Sequence, residues 1–224
     1  MKSLVQFILE NQSFSKISLQ ESIKKLPKSI SGIIVFDIDD TLLKANPDII
    51  KVYKKIDGKE IPLTTDEFAK DPDAGKPESE HLFDFRDFHE PVKVYHSIIS
   101  GTPLIKNLRI MDSYIEAGYD FCFLTARGAE ESVKQAIRDF LKIKDKDTGA
   151  LKELGDAFKE TFSHAVNDLY KKYPGKTDSE KKANVLRELC DEYDRVVFVD
   201  DDKKNVRAAR DLKIPNLKVI KAWD

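Results

Sequence analysis

The chain is short of cysteine, short of histidine and almost without net charge, and each shortage narrows its possible functions. Two cysteines and four scattered histidines do not supply the paired spacings of a structural zinc site. Cys122 falls inside an apolar run and Cys190 late in an amphipathic one, so both read as reduced core or near-core thiols of a cytosolic protein. Thirty-eight basic against forty acidic residues leave a net charge of -2, which argues against a dedicated nucleic-acid or membrane-surface binder while leaving a local basic face open. Long apolar runs are missing too. The stretch Leu4–Leu9 is broken by Gln6 and closed by Glu10, too short and too polar for a signal peptide or a spanning helix. A soluble, cytoplasmic protein with no membrane partner is the expectation. None of the nine glycines opens a Gly-x4-Gly-Lys-Ser/Thr match, which sets aside a P-loop kinase.

What is present describes a globular protein: 224 residues, 41% apolar and 35% charged, enough to bury one main domain with an elaboration. Apolar strands are expected at Ile33–Phe36, Tyr119–Leu124, Arg195–Val199 and Leu217–Lys221. Amphipathic helices are expected at Leu104–Ala117, Glu130–Leu141, Ser179–Tyr193 and Lys204–Leu212. Strands apolar on both faces and separated by helices predict an α/β fold, a three-layer sandwich around a central parallel, Rossmann-like sheet. Residues 31–224 would form this core, preceded by a helical leader over residues 1–30 that either packs on it or serves as a docking arm. Residues 45–103 break the alternation and read as a small β-hairpin/helical insert after the first strand, its hairpin turning at Asp57-Gly58 between Ile50–Lys54 and Glu60–Leu63. An aromatic and acidic run, His81 to Glu90, closes the insert. Its Phe83, Phe85 and Phe88 either pack a small cap or stack a nucleobase, and His81, His89 and His96 flank them. Over residues 143–176 helical spacing competes with a short strand at Ser163–Val166.

The chemistry begins where the first strand stops. Ile33-Ile34-Val35-Phe36 runs into Asp37-Ile38-Asp39-Asp40-Thr41, and such a concentration of negative charge at a strand end is costly unless something positive offsets it. In an extended backbone residues i and i+2 project to one side, so Asp37 and Asp39 are expected to converge while Asp40 points away. Two converging carboxylates suit a hard cation, or a nucleophile beside an acid/base. The second strand ends Leu124-Thr125-Ala126-Arg127-Gly128 just before a helix; Thr125 and Ala126 are expected to bind a phosphate there, with a helix N-cap or an ST-turn as the alternative. A later strand ends Val199-Asp200-Asp201-Asp202, either a second acidic site or an acidic helix N-terminus. Two acidic ends in one parallel sheet would bring carboxylates close together, and their repulsion calls for a cation. Magnesium fits, being satisfied by few protein oxygens with its other positions left to water and phosphate. A lysine is then expected on the phosphate; Lys182 is favoured, with Lys181 and Lys176 competing.

Asp37-Ile38-Asp39-Asp40-Thr41, Leu124-Thr125-Ala126-Arg127, Lys182 and Val199-Asp200-Asp201 through Asn205 resemble, in order, the four motifs of the haloacid dehalogenase superfamily. The insert is similar to the flap of its magnesium-dependent phosphatases lacking a large cap, and also to phage-type members. The resemblance implies that Asp37 attacks phosphorus to form an aspartyl-phosphate and that Asp39 serves as acid, then base. It implies magnesium on Asp37, the Asp39 backbone carbonyl and Asp200, with Asp201 as a further candidate ligand. Thr125 and Lys182 would hold phosphoryl oxygens, and the Thr41 hydroxyl would brace the motif loop. The implied substrate is a small phosphorylated compound, such as a nucleotide or sugar phosphate, or else a polynucleotide end. A response-regulator receiver domain gathers similar residues, but with its acid pair on the first strand, its acceptor on a later one and its lysine last. The order here favours a phosphatase. A phosphotransferase on the same fold remains an alternative, as does a non-catalytic binding module, which has no reason to keep Asp37 and Asp39 together.

Overall fold

The computed structural model describes residues 31–148, 163–165 and 173–222. The expected leader helices lie outside the described residues, as does most of the helical reading of residues 143–176. Ten strands and six α-helices can be numbered along the described chain. The core strands are β1 (Gly32–Phe36), β7 (Asp120–Thr125), β8 (Ser163–Ala165), β9 (Arg195–Asp200) and β10 (Leu217–Lys221). All pair in parallel, in the order β10-β9-β1-β7-β8. Of the expected strand at Ser163–Val166, residues 163–165 join the sheet beside β7, its edge among the described residues.

Every residue of β1 is buried, and its side chains alternate between two cores. Ile34 and Phe36 face one layer together with Phe121, Phe123, Val197 and Val199. That layer holds α2 (Pro91–Ile99), α3 (Ile105–Glu116) and α4 (Glu130–Thr148), through Val94, Ile98, Leu108, Met111, Ile137 and Phe140. Ile33 and Val35 face the other layer with Cys122, Leu124, Val196 and Phe198, against α5 (Asp178–Glu192) and α6 (Lys203–Asp211). Period-two alternation in strands apolar on both sides therefore yields helix, sheet and helix, the three-layer sandwich expected. Gly32 opens β1 because the Tyr119 ring lies over it; a Cβ there would sit 2.5 Å from that ring. Among the described residues no helix is long and apolar enough to cross a membrane.

The insert has its own small sheet. A two-residue ribbon of β2 (Leu43–Lys44) and β6 (Thr102–Pro103) closes its base. Above it, β3 (Val52–Ile56) pairs with β4 (Lys59–Leu63) and β5 (Phe83–Asp84). The hairpin turns on Asp57 and Gly58, both at positive φ, as a two-residue turn between twisted strands requires. β3 runs two residues further into the turn than Ile50–Lys54, and β4 begins one residue before Glu60–Leu63. Phe68, from the short helix α1 (Thr65–Lys70), meets Phe83 and Phe85 edge-on at 5.0 and 5.3 Å, so these rings pack a small cap core. The Lys54 ammonium, 2.7 Å from Asp71 and 2.9 Å from Asp73, ties the following loop to β3.

Helix α2 differs from expectation. It lies inside the 45–103 segment, yet Val94 and Ile98 belong to the main core and pack with α4. Glu90 caps it, accepting hydrogen bonds from the backbone N–H groups of Val92 and Lys93 at 3.1 and 2.7 Å, with Pro91 in its first turn. Its Val, Ile and Tyr content gives it little intrinsic helix propensity, so its stability comes from packing on the main core. Truncating the fully buried ring in Phe140→Ala is expected to cost about 3–5 kcal/mol in urea unfolding. The exposed Val92→Ala should stay within about 0.5 kcal/mol of the parent.

Candidate active site

The carboxyl ends of β1, β7 and β9 lie side by side where the strand order turns back on itself, the position at which open parallel sheets carry their ligands. From β1, Asp37 continues the sheet, its N–H donating to the Val199 carbonyl at 3.0 Å. From β9, Asp200 is fully buried. Between them stands the Lys182 ammonium, 2% exposed as a residue, 2.7 Å from Asp37 Oδ1 and 2.9 Å from Asp200 Oδ2. Helix α5 delivers it: Thr177 caps the helix, and Lys182 begins the buried face continued by Val185, Leu186 and Leu189. Of the competing lysines, Lys181 pairs with Asp178 at 3.2 Å and Lys176 is exposed.

The three acids after β9 separate into different tasks. Asp202 caps α6, accepting the Lys204 N–H, so the helix-terminus reading holds for this one residue. Asp200 accepts the Asp202 N–H at 2.8 Å and both of its oxygens face the Asn205 amide at 3.1 and 3.2 Å. That amide is fixed by the Ser179 hydroxyl, which donates to Asn205 Oδ1 at 2.6 Å. Asp201 exchanges two bonds with Thr41: its Oδ1 accepts the threonine hydroxyl at 3.1 Å, and its N–H donates to Thr41 Oγ1 at 3.0 Å. Thr41 therefore braces the first motif loop against the last.

One carboxylate oxygen from each of Asp37, Asp200 and Asp201 lies within 4.8 Å of the others. This all-oxygen donor set fits a hard divalent cation. Three acids with one ammonium among them leave net negative charge in the cluster, which adds to the effect of burial on the carboxyls of Asp37 and Asp201. Burial pushes the Asp37 carboxyl well above the usual range; Lys182 opposes this, while Asp200 and Asp39 add to it. Burial, then the charge of Asp200, push Asp201 up to about 6. Burial alone would lower the Lys182 ammonium, but Asp37 and Asp200 outweigh it and keep the group protonated.

Asp39 departs from the expected convergence. Regular strand geometry ends at Phe36, and Asp40 takes a positive φ of 53°, so the i, i+2 rule no longer governs the loop. The Asp39 carboxylate turns to Arg127, accepting from Nε at 2.7 Å and Nη2 at 2.6 Å. Its side chain is thus not among the three acids that could hold a metal; only its backbone carbonyl remains as a candidate ligand. Thr125 is buried at the end of β7 and accepts the Arg127 N–H at 3.1 Å, which makes the ST-turn. Ala126 follows, half-buried, in the same loop. His81, His89 and His96 are all exposed, and His96 stands edge-on to Tyr95. The roles of Arg127, Ser179 and the Asn205 amide escaped the sequence reading. For Arg127 there was a signal, since it is the only charged residue from Phe121 to Gly128; for Ser179 there was none.

The sequence profile of the haloacid dehalogenase-like hydrolases matches residues 32–213, and the chain belongs to this family of hydrolases. No curated protein matches it. Among solved structures, a chain of the Pnkp1/Rnl/Hen1 complex is similar at 15% identity and a TM-score of 0.44. The match covers 88% of the present chain and 48% of that one, so the chain spans about half the length of this structural relative.

The raised Asp201 carboxyl has a measurable consequence. Between the ordinary carboxylate range and pH 6 the folded state holds a proton that the unfolded chain has released, so stability falls as pH rises through that window. In EDTA the melting temperature of the parent should therefore drop from pH 4 to 6 more steeply than that of Asp201→Asn. At pH 7.5, magnesium at a hundred times its Kd should restore about 2.7 kcal/mol to the parent.

Proposed function

We propose that the protein is a magnesium-dependent phosphomonoester hydrolase working through an aspartyl-phosphate on Asp37. The observation that carries this reading is the Lys182 ammonium held between Asp37 and Asp200, with Asp201 completing an oxygen cluster. Bound magnesium would be held by Asp37, Asp200, Asp201 and the Asp39 backbone carbonyl, and would supply charge neutralisation for the nucleophile and the phosphoryl oxygens. Asp37 Oδ attacks phosphorus in line while the bond to the leaving oxygen breaks. Asp39 gives its proton to that oxygen, then takes one from the water that cleaves the aspartyl-phosphate. Lys182, Thr125 and the backbone around Ala126 bind the phosphoryl oxygens.

A small phosphorylated substrate suits the insert better than a long polyanion. Residues 45–103 carry twelve aspartates and glutamates against eight lysines and arginines, so the insert is acidic and would repel a long polyanion. The site would lie within the cytoplasm, where magnesium and small phosphate esters are both available.

The test is phosphate release from p-nitrophenyl phosphate and a panel of nucleotides, sugar phosphates and 3′- or 5′-phosphorylated oligonucleotides. Release is expected to require magnesium, to fall roughly 10³-fold or more in Asp37→Asn, and to fall about 10²–10⁴-fold in Asp39→Asn. Release unaffected by Asp37→Asn would overturn the reading. Added alcohols that take up the phosphoryl group faster than water would reveal a transferase instead. Replacing Val52–Leu63 with a short glycine linker is expected to reorder the substrate panel while leaving the magnesium-induced rise in melting temperature in place; unchanged relative rates would refute a selective role for the hairpin.

A further inference from the structure

Among the described residues Arg127 is the largest fully buried side chain, 1% exposed, and no step of the proposed reaction uses it. A guanidinium is buried at high cost unless its nitrogens find acceptors, and here all three do, two of them on one carboxylate. Nε and Nη2 form a two-pronged pair with the Asp39 carboxylate at 2.7 and 2.6 Å. Nη1 donates to Ser97 Oγ at 2.6 Å, and that hydroxyl donates in turn to the Val94 carbonyl at 2.9 Å. The Phe88 ring lies 5.9 Å from the guanidinium carbon, and the Phe88 carbonyl accepts the Gly128 N–H at 2.9 Å. Ser97 and Phe88 belong to the segment between the first motif and α3, so that segment braces the arginine from behind.

The burial is one-sided. Arg127 is enclosed, but the Asp39 side chain is 35% exposed. Each carboxylate oxygen accepts one N–H from the fork and keeps a second lone pair for the open side. A carboxylate gripped this way has its plane and position set, which is what a group meeting a leaving oxygen needs; a displacement of about 1 Å can cost 10²-fold in rate. We infer that Arg127 is a positioning residue that aims Asp39 at the leaving oxygen and at the attacking water, with Ser97 setting the arginine. This rests on the hydrolase reading above and adds to it the group on which the acid/base step depends. In the first step an Asp37 Oδ–P bond forms as the P–O bond to the leaving group breaks, and the leaving oxygen takes the Asp39 proton; in the second, water adds to phosphorus, gives a proton to Asp39, and the P–O bond to Asp37 breaks, freeing inorganic phosphate.

Arg127→Lys keeps the charge but loses the two-pronged grip. Two substrates separate positioning from general damage, because p-nitrophenolate leaves without a proton and an alkoxide does not. For an alkyl phosphate, kcat/KM is expected to fall about 10²-fold. For p-nitrophenyl phosphate it should change by less than about threefold, while kcat falls because water activation also needs Asp39. The variant should then release a burst of nitrophenolate equal to the enzyme present and accumulate phosphorylated Asp37, seen by intact mass after acid quench. In an Asp39→Asn background, Arg127→Lys should add no further loss.

Ser97→Ala, which removes only the hydroxyl behind Nη1, should show the same pattern at about tenfold and serves if Arg127→Lys does not fold. Equal loss of kcat/KM on both substrates, or an undiminished effect in the Asp39→Asn background, would overturn the positioning role and leave the hydrolase reading standing. A parent protein that forms no phosphorylated Asp37 and releases no phosphate from either substrate would overturn both.

Discussion

The Lys182 ammonium between Asp37 and Asp200 is the interaction on which the site depends. It joins three elements, since Asp37 follows β1, Asp200 ends β9 and Lys182 comes from α5. Buried charges of one sign at neighbouring strand ends would otherwise repel across the centre of the sheet. A single ammonium, shielded from water, offsets part of that repulsion. It also fixes the distance between the two carboxylates and the depth of α5 against the sheet. The helix can approach because its first buried turn meets the strand ends with a charge partner, while its later turns meet them with Val185, Leu186 and Leu189.

One lysine does not balance three acids, and the surplus negative charge is what makes the site receptive to a divalent cation. Asp201 is the marginal member. It is half-buried, its carboxyl is raised to about 6, and it is held by the Thr41 hydroxyl in place of a cation of its own. A site arranged like this is costly to keep empty of positive charge at neutral pH, and that cost favours binding. A second ion pair stands beside the first with a different character. Arg127 and Asp39 are matched one to one, and the arginine is backed by Ser97 and Phe88. The first cluster leaves charge unbalanced, whereas the second is balanced and geometrically tight. Under the proposed function, this division would suit a metal and nucleophile at one point and a positioned proton carrier at the other.

The insert is joined to this arrangement at its C-terminal side. Its sheet and aromatic cluster pack among themselves, through Phe68, Phe83 and Phe85 and the Lys54 pairs with Asp71 and Asp73. Its last helix, α2, instead enters the main core and carries Ser97 to the arginine. The segment from 45 to 103 is therefore two things, a cap over residues 52–88 and a core helix after it.

The parallel sheet, its order of strands and helices, and the positions of Asp37, Thr125 and Asp200 at strand ends were legible in the chain. Each rests on neighbours in sequence: an apolar run of strand length, then an acid or a hydroxyl where the run stops. The hairpin turn was legible for the same reason, because Asp57-Gly58 favours positive φ on its own. The place of helix α2 in the main core was not, and for edge strand β8 the local pattern leaves a helix open as well, since both owe their form to what they pack against. The partnerships that make the site were also out of reach. Lys182 finds Asp37 across 145 residues, Arg127 finds Asp39 across 88, and Thr41 finds Asp201 across 160. Local pattern names the groups a strand end presents, because backbone geometry and burial act over a few residues. Which charge meets which is decided by folding alone, because hydrogen bonds of 2.6–3.1 Å between such distant residues exist only once the sheet and helices have packed.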